Sequence, residues 1–155
     1  MLSFLIILTN CKKAPSEVVK EDNSTYQPKG DMSDLLYNPV RPDGTIDSTY
    51  LPILTLDEAV FDFGEINQGD VVNHEYSFTN TGTAPLLILS ASSTCGCTIP
   101  EWPKNPIPPG ERGSIQVKYD SANKEGDQSK LVTIFANTFP NQTVVTIRGN
   151  VVKSK

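Results

Sequence analysis

Val72-Asn73-His74-Glu75-Tyr76-Ser77-Phe78-Thr79, followed at once by Asn80-Thr81-Gly82, is the stretch that decides the fold. Taken at every second position, Val72, His74, Tyr76 and Phe78 fall on one side, and Asn73, Glu75, Ser77 and Thr79 on the other. That is the period-two order of a strand with one wet face. A helix would need apolar residues at three and four. Asn80-Thr81-Gly82 then supplies turn chemistry.

Working outward, the same pattern returns. Ile115, Val117 and Tyr119 alternate with Ser114, Gln116 and Lys118. Phe61 and Phe63 alternate before Gly64, and Val144 to Val152 is rich in β-branched residues. Leu86 to Leu89 and Leu131 to Ala136 are apolar at consecutive positions, as central strands would be. Asn67-Gln68-Gly69-Asp70, Pro108-Pro109-Gly110, Gly126-Asp127 and Pro140-Asn141 separate these runs. About seven short strands in about 100 residues predict an Ig-like antiparallel β-sandwich.

The apolar content divides the chain of 155 residues into three parts. Leu, Ile, Val and Phe occupy 6 of the first 11 positions, 7 of the 41 from 12 to 52 and 28 of the 103 from 53 to 155. The middle part, at 7/41, falls below the fraction of about 20% under which a segment rarely buries a core. The expected organisation is a signal segment over 1–11, a flexible linker over 12–52 and one folded domain over 53–155. Within the linker, Arg41-Pro42-Asp43-Gly44 reads as a turn.

The entrance is apolar from Leu2 to Leu8 and meets Cys11, then Lys12 and Lys13. It is shorter than the roughly 20 residues that span a bilayer, but long enough for the apolar stretch of an export signal. Leu8-Thr9-Asn10-Cys11 resembles a bacterial lipobox, which implies acylation of Cys11. The chain is therefore expected to be a membrane-anchored lipoprotein of the cell envelope, facing the periplasm.

Charge and composition exclude several functions. There are 13 basic against 18 acidic residues, a net charge of −5, and no more than two basic residues are adjacent. A nucleic-acid partner is not expected, because phosphate binding needs basic clusters. One His and three Cys offer little catalytic stock, and Walker and Rossmann glycine patterns are absent. The expectation is a non-enzymatic binding or scaffold module without a cofactor, whose partner is an envelope protein or glycan.

Phe61-Asp62-Phe63-Gly64, Asn80-Thr81-Gly82 with Pro85-Leu86, Cys95-Gly96-Cys97-Thr98 and Pro108-Pro109-Gly110-Glu111 together resemble a bacterial family of unknown function with Ig-like, hydin-type domains. The resemblance covers roughly residues 56 to 152. It implies the sandwich fold and an exported or lipid-anchored protein of Bacteroidetes-like bacteria, but no activity.

The most distinctive element is Cys95-Gly96-Cys97. In a regular strand the two Cα atoms would stand near 6.5 Å, at the limit for a disulfide, and Gly96 can bring them closer. Three readings are open: a structural clip or buried thiol pair, capture of a soft metal such as Cu(I) with His74 the one available His, and thiol exchange. The first is the expectation adopted. His74 itself is expected as a hydrogen-bonded inward or rim residue, and Trp102 either covers an end of the core or contacts a partner. Asp120-Ser121-Ala122 resembles a short O-glycosylation acceptor pattern with Ser121 in a polar turn, and Asn23 and Asn141 begin Asn-x-Thr sequons.

Overall fold

The computed structural model describes residues 39–153. The eight strands are β1 (Leu54–Leu56), β2 (Val60–Asn67), β3 (Val71–Asn80), β4 (Ile88–Ser93), β5 (Thr98–Glu101), β6 (Arg112–Asp120), β7 (Gly126–Ala136) and β8 (Gln142–Val152). They form two four-stranded sheets, in the orders β1-β3-β6-β5 and β2-β8-β7-β4. The protein is thus an all-β sandwich, with eight strands where about seven were expected; β1 and β5 are the shortest, at three and four residues.

Alternation read from the sequence sets the core. Tyr76 and Phe78 of β3, Ile115, Val117 and Tyr119 of β6, Val132 and Ile134 of β7, and Val145 and Ile147 of β8 are buried together between the sheets. Their odd or even neighbours are the residues left outside. Tyr76 also ties the layers, since its hydroxyl donates to the carbonyl of Thr146 across the core at 2.7 Å.

Two expectations need correction. The sandwich is not wholly antiparallel: β2 runs parallel to β8, with a register slip between Asp62 and Glu65. Alternation does not encode direction. Close approach here depends on Gly149, where a Cβ would stand 2.2 Å from the Phe63 ring. Leu86 to Leu89, read as a central strand, instead bridges at Leu86 to Ile107 and then enters edge strand β4. Leu86 and Ile88 are buried, but Leu89 is 51% exposed.

Packing begins ahead of Ile53. Leu51 and Pro52 are buried, and Leu51 exchanges hydrogen bonds with Thr83, through its N–H to Thr83 Oγ1 at 3.1 Å and through its carbonyl from Thr83 N–H at 2.9 Å. Gly82 permits this contact, because a Cβ there would lie 2.2 Å from the Leu51 carbonyl oxygen. Before it, Val40 bridges to Ile46 around the turn expected at Arg41-Pro42-Asp43-Gly44, where Gly44 N–H donates to the Arg41 carbonyl. Hydrogen bonds from the side chain and backbone of Thr49, with Arg41 beside it, hold the Asp47 carboxyl well below the usual range. The segment before residue 39, including Cys11 and Asn23, lies outside the described residues.

Candidate functional site

The Cys95-Gly96-Cys97 element sits where the chain leaves β4 and turns into β5. Thr98 N–H donates to the Cys95 carbonyl, which closes a tight turn, and Asp120 N–H donates to the Cys97 carbonyl at 2.9 Å, which fixes the turn to β6. This brings the two Cα atoms to 5.2 Å, and the sulfurs form a disulfide. Its two residues are half-buried and Gly96 is exposed. In this form neither sulfur is a thiolate, the species that Cu(I) capture needs. His74 lies on β3, and β6 runs between it and the disulfide on the β5 side.

A groove of about 290 Å³ opens beside the disulfide, on the outer face of β5 and β6. Cys97, Ile99, Lys118, Asp120 and Lys124 line it. Strand parity explains the set. Thr98 pairs with Tyr119 and both face the core, so Ile99 and Lys118, the next pair, face out. The Thr98 hydroxyl is buried under the disulfide, 3.6 Å from Cys95 Sγ and 4.0 Å from Cys97 Sγ. Sequence reasoning singled out the cysteines but not Thr98, Lys118 or Lys124. The signal available for Thr98 was its adjacency to Cys97, whereas the lysines are brought in by the pairing of distant strands.

The other named residues go elsewhere. Trp102 packs against the core edge, and the Lys104 ammonium stands 3.1 Å from its ring centroid. Its ring face is therefore already occupied, and the core-covering reading describes where it sits. Of the two placements read for His74, inward or rim, it takes the rim: Nε2 pairs with Glu58 Oε1 at 2.8 Å, and the ring stacks on Phe61 with centroids 3.6 Å apart. Ser121 corrects its expectation. It is wholly buried, its hydroxyl accepts from Gly69 N–H at 3.0 Å and lies within donating distance of the Asn67 and Asp70 carbonyls. It is a tie between two turns, and no glycosyl transfer can reach it in the folded chain.

A second surface was not anticipated. On the sheet β2-β8-β7-β4, burial of Val132, Ile134, Val145 and Ile147 turns Leu131, Thr133, Phe135, Val144 and Thr146 outward. Val60 and Leu131 both pair with Thr146, and Thr133 pairs with Val144, so these residues adjoin across three strands. Val60, Leu131 and Val144 are 47%, 49% and 43% exposed. The result is an aliphatic and hydroxyl-bearing face, ended on one side by the Arg148–Asp62 ion pair. Among the described residues, no group of three or more His, Cys, Asp and Glu is gathered as a metal site would require.

Comparison with known proteins supports the fold. A family described as protein of unknown function (DUF1573) matches residues 54–151. A solved protein of unknown function from Porphyromonas gingivalis W83 is similar, with a TM-score of 0.58 and 14% identity, over 66% of this chain and 48% of that one. The ASH / PapD-like domain 7 of human CEP192 gives a TM-score of 0.56 at 10% identity, over 77% of this chain and 97% of that one. The secreted serine protease VesC from Vibrio cholerae gives 0.51 at 12% identity, over 63% of this chain and 23% of the protease. The chain thus spans under half of the Porphyromonas protein and under a quarter of VesC. At these identities the likeness concerns the fold alone. No curated protein matches the sequence.

Proposed function

The chain belongs to the family described as protein of unknown function (DUF1573), and from that premise we propose that it is a non-catalytic binding or scaffold module of the hydin type, held at the cell envelope by a lipid on Cys11. The observation that carries the binding function is the outward aliphatic face of Val60, Leu131, Val144 and Thr146. Contiguous apolar surface exposed to water costs solubility and commonly marks a contact site. A sheet with no partner to cover would instead place charged residues at these positions.

The chemistry of the face favours a protein partner over a glycan. Sugars stack on flat aromatic rings, and Phe135 is the one aromatic residue among those turned outward here, itself half-buried. Aliphatic side chains offer burial, which is what a protein surface returns. The apolar start before Cys11 and the polar stretch that follows are what support placement of the domain on a membrane-held leash.

Two variants test the proposal in the native envelope. Cys11→Ala should move the protein from the detergent phase to the aqueous phase. Leu131→Lys with Val144→Lys should leave the melting temperature within about 2 °C, as exposed substitutions do, and should abolish the high-mass species of gently solubilised envelopes on native gels. Retention of those species by the double variant would defeat the binding proposal. Detergent partitioning that survives Cys11→Ala would defeat the anchoring.

A further inference from the structure

The groove beside Cys97 goes beyond a binding module: we propose that the Cys95–Cys97 disulfide is a thiol–disulfide exchange site that takes a small thiol bearing a carboxylate. Three observations converge on it. The bridge joins residues only two apart in sequence, so it restrains the unfolded chain far less than a bridge across a long loop would. Its two residues are half-buried, and Cys97 borders a groove of about 290 Å³, room for a small organic molecule. Lys118 and Lys124 line that groove against the single carboxylate of Asp120, whose Oδ1 already accepts from Ala122 N–H.

The geometry also gives the exchange a direction. Of the two cysteines it is Cys97 that lines the groove, so Cys97 Sγ is the sulfur assigned to the incoming thiolate. As the new S–S bond forms, the Cys95–Cys97 bond breaks and its electron pair passes to Cys95 Sγ. The Thr98 hydroxyl is nearer to Cys95 Sγ than to Cys97 Sγ, at 3.6 Å against 4.0 Å. Since a disulfide sulfur has no proton to give, Thr98 is the donor, and it stabilises charge on Cys95 as that sulfur leaves. A second thiolate then attacks the outer sulfur of the mixed disulfide and releases Cys97 as a thiolate. Two thiols become one disulfide, and the protein gains two electrons and, on protonation, two thiols. The lysines act on the incoming group through its carboxylate.

The test uses the full chain and three monothiols of different charge, 3-mercaptopropionate, 2-mercaptoethanol and cysteamine, at low ionic strength and with rates normalised to thiolate concentration. Opening of the disulfide should be faster with the anionic thiol than with the cationic one by about threefold or more, the scale of one charge contact at a wet surface. Alkylation and peptide mass mapping should place the mixed disulfide on Cys97. Lys118→Gln with Lys124→Gln should remove the charge order. Thr98→Val should slow opening by about threefold or more with all three thiols, because it withdraws a hydrogen bond to a charged group, and Thr98→Ser should restore it. A charge order equal to that of a linear Cys-Gly-Cys peptide, or an adduct on Cys95, would overturn the proposal. So would a Thr98→Val chain that keeps its melting temperature and the wild-type opening rate.

Discussion

Asn80 shows how much of one end of the sandwich a single residue holds. It is wholly buried. Its Nδ2 donates to the carbonyls of Ala84 at 2.8 Å and Ile107 at 2.9 Å. Its Oδ1 accepts from Ile53 N–H at 3.3 Å and Gly82 N–H at 3.1 Å. Every polar capacity of the amide is thus used, and the residue joins the approach to β1, the turn after β3 and the return of the Pro-rich loop. Asn80→Ala removes all four of these hydrogen bonds from a wholly buried position and leaves the Ala84 carbonyl without its amide partner, so it should cost about 3 kcal/mol in urea unfolding. A loss under about 1 kcal/mol would show that water replaces the amide. The Asn80-Thr81-Gly82 motif was legible as a turn. That its Asn would be the buried hub was not, because the partners come from residues up to 27 positions away. Ser121 went unread for the same reason: Asp120-Ser121-Ala122 looks like an exposed turn until Asn67 and Asp70 are brought against it.

At the scale of elements, β3 and β6 were legible because each has a dry side and a wet side and the alternation records it, while β7 was legible from its consecutive apolar residues and β8 from its β-branched ones. Edge strands were harder. β1 pairs with β3 over three residues only, and β5 includes Pro100, so neither is long enough to write a period. Strand direction left no trace at all, which is why the parallel pairing of β2 with β8 was unforeseen. The entry segment belongs to this scale too. Leu51 and Pro52 are seated against Gly82, so a chain cut to begin at Ile53 should melt several degrees below one that begins at Pro39. In the longer chain Gly82→Ala should cost about 2 kcal/mol, since a backbone carbonyl must move. In the shorter chain it should cost less, and that non-additivity measures the contact. Equal melting temperatures for the two chains would show that the segment contributes nothing.

At the scale of the whole molecule, the sheets are coupled through the buried phenol of Tyr76. Burial pushes the Tyr76 hydroxyl up to about 12, with the backbone of Phe61 acting against it and the Glu58 carboxylate adding to it. Burial also raises Tyr119, with a further contribution from Asp120. A raised phenol stays neutral in the fold where the unfolded chain would ionise. Its contribution to stability is therefore whole below about pH 10 and is lost as pH rises through the folded value. Melting temperature should fall between about pH 10 and 12 as phenolate absorbance rises, and Tyr76→Phe should flatten the fall. A melting temperature constant across that range would contradict the account.

The candidate sites divide along the same line. The cysteine pair was legible because it is local, but the groove is assembled from β5, β6 and the turn after β6. The outward aliphatic face depends on the order β2-β8-β7-β4, which puts Thr146 between Val60 and Leu131, from segments up to 86 positions apart. Apolar residues on both sides of β7 were read as a sign of central burial, and β7 is indeed central within its sheet. One of its faces nevertheless meets water at Leu131.

Site-directed photo-crosslinking from that face is the most direct measurement. A photoreactive residue placed at Leu131 or Val144 in the envelope-resident protein should yield one discrete protein adduct. The same residue at Gln116, exposed on the opposite sheet, should yield none. Equal crosslinking from Gln116 and Leu131, a glycan adduct, or no adduct from Leu131 and Val144 would contradict the account.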